Sequence, residues 1–285
     1  MVVLLWTTLS QTIQERKDAP MPENYLEQYY SNYDEEGRLL LKYGQVEYIT
    51  TMKYIHEFLK KSSVKESKIL EVGAGTGRYS IALAKEGYKV EAIELVKHNV
   101  EIFKSKAENT SNITVSQGNA LDLSRYSDNI FDMTLLLGPM YHLYNDDDKK
   151  KALGEAVRVT KKGGYILVAY CMNEASVIHE CFIWNRLKEY MDKKLINDNF
   201  KLISQPEDLF ELVRIEDIQR LNMNFNVERI KLIATDGATN YMRNVIEQMD
   251  DKMFSYWIKY HLSTCERQDL IGATHHSLDI LRKRV

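Results

Sequence analysis

The sequence predicts an α/β fold: a doubly wound, mostly parallel seven-stranded sheet with helices on both faces and a helical cap. Three observations carry that expectation. Strand-like and helix-like segments alternate from residue 68 to residue 171, the pattern that builds a parallel sheet through crossover helices. A glycine-rich stretch, "VGAGTG", falls at a strand-to-helix junction. Glu94 ends the next strand about twenty residues further on, where an open α/β sheet binds its ligand. Right-handed crossovers restrict such a chain to the doubly wound arrangement.

The elements follow in order. Residues 1–20 read as a leader, because Met21-Pro22 offers a second start. The apolar patch at residues 2–6 lacks a basic flank and is too short for a signal core or a membrane span. Residues 21–62 form a lid segment, rich in tyrosine at Tyr25, Tyr29, Tyr30, Tyr33 and Tyr43. Within it Tyr48, Met52, Ile55, Phe58 and Leu59 have helical spacing.

Residues 63–172 form the core. "KILEV" (68–72) is a short buried strand, followed by a helix over 76–86 that Gly87 stops. Strand 88–93, helix 97–107, strand 112–117 and strand 131–137 come next. A helix spans 146–161, with Asp146, Asp147 and Asp148 in its first turn and Arg158, Lys161 and Lys162 at its end, which suits the helix dipole. Gly163-Gly164 is expected to stop it before strand 165–171.

Residues 173–220 break the rhythm and read as a mostly helical cap, interrupted at Pro206. Residues 221–285 complete the sheet. They supply strand 227–235, a long amphipathic helix over 239–261 and an edge strand at 276–281. The helix carries Tyr241, Val245, Met249, Met253, Trp257 and Tyr260 in register, a stripe expected to pack on the core.

Composition narrows the function. The net charge is −3, from 38 basic and 41 acidic side chains. Basic clusters are short, at Lys149–Lys151 and Lys161-Lys162. Nucleic-acid grip needs a basic excess or stripe, so this balance argues against it. The three cysteines, Cys171, Cys181 and Cys265, show no CxxC or Cys/His spacing. That argues against a disulfide framework and a metal site, and it fits a reducing cytoplasm. No segment is long and apolar enough to span a bilayer, so no membrane partner is expected.

The glycine turn differs from a nicotinamide fingerprint. That pattern would place a glycine at position 78, where this chain has Arg78. The pattern here is ExGxGxG, beginning at Glu71. With Glu94 placed to accept both ribose hydroxyls, an adenosine-type ligand is expected.

These residues resemble the class I S-adenosylmethionine-dependent methyltransferases. "EVGAGTGRYS" is similar to their first motif and "EAIEL" to their second, with Glu94 in the ribose-binding place. "GNALDL" (118–123) resembles the third, with Asn119 where the family usually has aspartate. "LLLGPMYHL" and "RVTKKGGYILVAY" resemble the fourth and fifth motifs of small bacterial members. The likeness is close over residues 40–172 and looser over 212–283. The resemblance implies a Rossmann-like fold and the cofactor S-adenosyl-L-methionine, with S-adenosyl-L-homocysteine as product. It implies cofactor contacts at Glu71, Gly73, Ala74, Gly75, Gly77, Glu94, Leu95, Asn119, Ala120 and Leu137. Tyr30, Arg38 and Arg78 are candidates for the methionine carboxylate. This cofactor carries no phosphate, so the turn needs no lysine.

Chemistry is expected at the end of the fourth strand, because ligands sit outside the carboxyl ends of the strands. Gly138-Pro139 would end the strand there and aim Tyr141 and His142 at the cofactor, making these two the candidate catalytic residues. Methyl transfer from a sulfonium needs in-line approach and a dry site, and a base only where the nucleophile must first lose a proton. His142 suits that role, with an unperturbed pKa near 6.5. His179, His275 and His276 are weaker candidates. Gly138 offers no side chain to grip a nucleobase amine, unlike the Asp/Asn-Pro-Pro-Tyr motif of base-methylating relatives. The expected function is methyl transfer to a small molecule, with Phe182, Trp184, Tyr190 and Phe210 giving the cap an aromatic character. An RNA- or protein-directed methyltransferase and a non-catalytic cofactor binder remain open alternatives. Arg78 opposes a nicotinamide dehydrogenase.

Overall fold

The computed structural model describes residues 25–32, 37, 40–61, 67–205 and 208–285. The leader (1–20), Met21-Pro22, Tyr33, Arg38 and Pro206 lie outside the described residues.

Alternation of apolar residues decides the layering. In β1 (Lys68–Val72), Leu70 and Val72 enter one core and Ile69 enters the other. A strand with both faces apolar needs cover on both sides, and helices supply it. One face is covered by α5 (Asp146–Val159) and α8 (Ile215–Asn222), through Ala152, Leu153, Ala156, Ile218 and Leu221. The other is covered by α2 (Lys42–Lys61) and α3 (Arg78–Lys85), through Tyr54, Ile55, Phe58, Leu59 and Leu83.

The sheet has eight strands among the described residues, in the order β3-β2-β1-β4-β5-β8-β7, with β6 paired to β5. The remaining strands are β2 (Lys89–Glu94), β3 (Ile113–Gln117), β4 (Phe131–Leu136), β5 (Thr160–Met172), β6 (Leu212–Val213), β7 (Val227–Ala234) and β8 (His276–Lys283). Neighbours from β3 to β5 pair in parallel, and β8 runs antiparallel to both β5 and β7. The order reverses between β1 and β4, which opens a crevice at their carboxyl ends. Helix α1 (Tyr25–Asn32) packs against α4 (Lys97–Ala107) over that crevice.

Four expectations are corrected. The strand at 276–281 is not an edge: β8 is paired on both sides from Ser277 to Arg282 and buried from Ser277 to Leu281. The helix before β5 ends at Val159, and Gly163-Gly164 lies inside the strand instead of stopping the helix. Gly163 has φ +77, and the β4–β5 register shifts between Phe131 and Met133, so the glycines serve an irregularity in the pairing. The stretch 239–261 is not one helix. A 3-10 turn (Gly237–Met242), α9 (Arg243–Gln248) and α10 (Asp251–Thr264) share it, because Asp250 caps a new helix by accepting the Met253 N–H at 2.7 Å. The break takes Val245, Met253 and Tyr260 out of the core and onto the surface.

The cap is less helical than expected. It holds α6 (Asn173–Val177), a π-helical turn (Ile178–Ile183) and α7 (Leu187–Asp192), followed by an isolated bridge between Ile196 and Leu202. Its own small core is Val177, Cys181 and Leu202, with Leu187 and Tyr190 against them.

Candidate active site

The crevice is a cavity of about 250 Å³ at the carboxyl ends of β1, β2 and β4. The glycine turn forms its floor. Gly73 and Ala74 both donate backbone N–H bonds to the Ile93 carbonyl, at 2.8 and 3.1 Å, which stitches the turn to β2. Gly73 has φ +74, and a Cβ there would lie 2.5 Å from Pro139 Cδ. A Cβ at Gly138 would lie 3.0 Å from the Gly73 carbonyl oxygen. The turn and the tail of β4 therefore pack backbone to backbone. Gly138 is needed for that close approach, a reason the sequence motif did not reveal.

Glu94 closes one end. Its Oε2 accepts the Gly75 N–H at 2.8 Å and its Oε1 accepts the Val96 N–H at 2.9 Å. Burial raises its pKa, and these backbone donors, with the Asn99 side chain, oppose the rise. A carboxylate has about four acceptor positions, so capacity remains for a ligand's ribose. Asn119 lines the same end, with its Oδ1 accepting the Leu121 N–H at 2.9 Å. Its amide also presents Nδ2 donors, which an aspartate lacks.

Glu71 lies beneath the turn, 1% exposed, and accepts a hydrogen bond from the Ser80 hydroxyl. Burial pushes its pKa up to about 8, against the lowering effect of Ser80. Arg78 also lines the crevice, its guanidinium carbon 4.1 Å from the centre of the Tyr48 ring.

The 3-10 turn Pro139–His142 carries the wall on the β4 side. Tyr141 donates its hydroxyl to the Leu137 carbonyl at 3.0 Å. His142 uses both ring nitrogens. Its Nδ1 lies 2.9 Å from the Leu209 carbonyl oxygen and so carries the proton. That leaves Nε2 to accept from the Tyr30 hydroxyl at 3.0 Å. Burial lowers the His142 pKa to about 4, so the ring is neutral at pH 7. Phe210 completes this aromatic wall, with its ring 5.7 Å from Tyr141 and 5.6 Å from His142.

Tyr30 brings α1 into the site. At the other end of that helix, Glu27 accepts the Lys97 and His98 N–H groups at 2.8 and 3.1 Å, at the start of α4. A carboxylate at a helix N-terminus is favourably placed. α1 is thus pinned over the crevice at two points.

The cavity gathers Glu71, Gly73, Ala74, Gly75, Glu94, Leu95, Asn119, Ala120, Leu137, Tyr30, Tyr141 and His142. Gly77 is not in its lining; it sits at the start of α3 with φ +86. His179 and His275 pair with each other at 2.7 Å, away from the cavity lining. Other lining residues carry no sequence motif: Gly44, Glu47 and Thr51 on α2, Thr235 after β7 and Leu278 on β8. The spacing 44, 47, 48, 51 is one helix face, and of its members the apolar pattern marks only Tyr48.

Residues 69–164 match the family model of a methyltransferase domain. Over these residues the chain carries a methyltransferase domain similar to that of the class I S-adenosylmethionine-dependent methyltransferases. It is 29% identical over 145 residues to the demethylmenaquinone methyltransferase of Bacillus licheniformis, covering 50% of this chain and 58% of that protein. It is 28% identical over 180 residues to an O-methyltransferase of Aspergillus nomiae, covering 58% of this chain and 74% of that protein. The chain thus spans little more than half the length of the first of these relatives. In fold it matches a SAM-dependent methyltransferase of Methanosarcina mazei with a TM-score of 0.53 at 16% identity, over 81% of this chain and 97% of the other. The family's cofactor is S-adenosylmethionine. The crevice suits it: a carboxylate with acceptor capacity at the ribose end, a backbone-lined turn, and no lysine in the lining among the described residues.

Proposed function

We propose that this protein transfers a methyl group from S-adenosylmethionine to a small-molecule acceptor. The observation that carries the reading is a single cavity with the Glu94 end at one side and a tyrosine- and histidine-lined end at the other. The cofactor, when bound, supplies an activated methyl on a sulfonium sulfur.

The chain's residues divide the remaining work. Glu94 would accept the ribose hydroxyls. Asn119 would face the adenine edge, offering donors as well as an acceptor. The backbone of Gly73–Gly75 lets the ligand approach closely. Tyr30 and Arg78 are the described candidates for the methionine carboxylate, and Arg38 is a third candidate from the sequence. Tyr141 and His142 form the acceptor-side wall. With its proton on Nδ1 and its low pKa, His142 acts there as a neutral acceptor that latches α1 through Tyr30. Closing that helix over the crevice excludes water and holds the reactants in line.

Calorimetry with S-adenosylhomocysteine tests the cofactor half. Binding in the micromolar range is expected; none at near-millimolar ligand refutes it. Label transfer from methyl-labelled cofactor to a metabolite extract tests the transfer half.

A further inference from the structure

Among the described residues, three carboxylates line the crevice: Glu94, Glu71 and Glu47. Two are committed within the protein. Glu94 holds two backbone N–H groups, and Glu71 is buried, bonded to Ser80 and drawn toward its neutral form. Glu47 differs. Its one charged contact among the described residues is His276 Nδ1, at 3.8 Å, beyond hydrogen-bonding distance. Its side chain keeps 24% of its exposure.

The nearest cation is shared with a second carboxylate. His276 Nδ1 is already held by Asp236 Oδ2 at 2.8 Å. Asp236 is 2% exposed and also accepts from Thr274, Asn240 and the backbone N–H groups of His275 and His276. Burial alone would raise the Asp236 pKa, but the hydrogen bond and charge of His276 overcome it and hold the carboxylate ionised. Burial disfavours the His276 cation; the Glu47 and Asp236 carboxylates keep it charged. The Asp236–His276 pair is therefore neutral as a unit, so these three groups together carry one negative charge, with Glu47 as the member that lines the cavity. Arg78, the one Lys or Arg in the lining among the described residues, is stacked on Tyr48.

Position points the same way. Glu47 sits beside the ends of β7 and β8, with Thr235 and Leu278, on the far side of β4 from the Glu94 end. The His276 ring is also 6.5 Å from the Tyr141 ring, so Glu47 and Tyr141 flank one imidazole on the acceptor side. An anionic group among tyrosine rings is a site for a cationic nitrogen, which gains from both the charge and the ring faces.

We propose that Glu47 is the acceptor-binding residue of this crevice and that it selects an amine, which binds as its ammonium and gives up one proton to the Glu47 carboxylate before the freed nitrogen lone pair takes the methyl. The inference rests on the methyltransferase reading and narrows its acceptor class. Asp236 and His276 are positioning residues: Asp236 holds the imidazole whose Nδ1 lies 3.8 Å from the Glu47 carboxylate.

The test is calorimetry on the full chain saturated with S-adenosylhomocysteine, using 2-phenylethylamine and its neutral counterpart 2-phenylethanol. The amine is expected to bind at least about tenfold more tightly than the alcohol, the scale of one charge-assisted contact. In Glu47→Gln that preference is expected to vanish, while Glu47→Asp retains part of it and both variants bind the cofactor product normally. Equal binding of the two probes, no amine binding, or an undiminished preference in Glu47→Gln overturns the assignment. The wild-type comparison decides the matter even if a variant misfolds. Absence of S-adenosylhomocysteine binding would overturn the methyltransferase reading as well; its presence without amine preference overturns the amine assignment alone.

Discussion

Glu71→Gln gives a quantitative test of the electrostatics under the glycine turn. The carboxyl is 1% exposed, and its pKa is raised from 4.5 to about 8, chiefly by burial. For an acid with a raised folded pKa, the unfolded chain releases its proton first. The protein then loses stability as pH climbs from the unfolded value through the folded one. Every pH step of one well between those two values costs about 1.4 kcal/mol and the slope flattens near each, so between pH 5 and pH 8 the wild type should lose about 3.5 kcal/mol relative to a variant that cannot ionise. Glutamine has nearly the same shape and can still accept from Ser80, so Glu71→Gln should be less pH-sensitive by that amount. The assay is urea denaturation of both proteins at pH 5, 6, 7 and 8, comparing unfolding free energies. Glu94 titrates in both proteins, so its direct contribution cancels in the comparison. A gap that stays constant across the range would refute the reasoning, because Glu71 would then ionise as an ordinary exposed carboxylate.

Three further outcomes are expected. Glu94→Gln should weaken S-adenosylhomocysteine binding by about 10- to 100-fold in calorimetry, since a charged acceptor is worth roughly 1.5–3 kcal/mol and an amide keeps only part of it. Gly77→Ala should destabilise by about 2–4 kcal/mol in urea denaturation, from left-handed backbone strain and from overpacking. The new Cβ would sit 2.4 Å from the Phe103 ring, which is fully buried and has no room to retreat. Tyr30→Phe should leave folding stability nearly unchanged but weaken cofactor binding about 2- to 10-fold, the worth of the one hydrogen bond that latches α1 to His142.

The order of β1 to β5 and the helices between them were legible because each depends on local pattern. Ile69, Leu70 and Val72 alternate between two apolar layers, and such alternation is readable in five residues. The glycine turn and Glu94 were legible for the same reason: the turn needs positive φ, and a strand end fixes where the carboxylate lies. The errors lay where local pattern had two solutions. The periodic stripe over 239–261 fitted one long helix, but the Asp250 cap divided it and put half the stripe in water. "HSLDIL" had strand character, yet nothing in those residues says whether a further strand pairs outside them; β7 does, so β8 is interior.

The sequence by itself determined the sheet, the turn and the expectation of an adenosine-type ligand, because these follow from apolar period, glycine conformation and one carboxylate at a fixed spacing; the cofactor itself followed from the family resemblance. Tertiary structure alone decided which charges meet. Tyr30 reaches His142, 112 residues away in the chain, and its hydroxyl occupies the Nε2 position of that ring. Glu47, Asp236 and His276 come from three separate elements, and only their packing sets two carboxylates around one imidazole. Distances between such groups set the balance of burial and Coulomb energy, and sequence spacing carries no record of those distances.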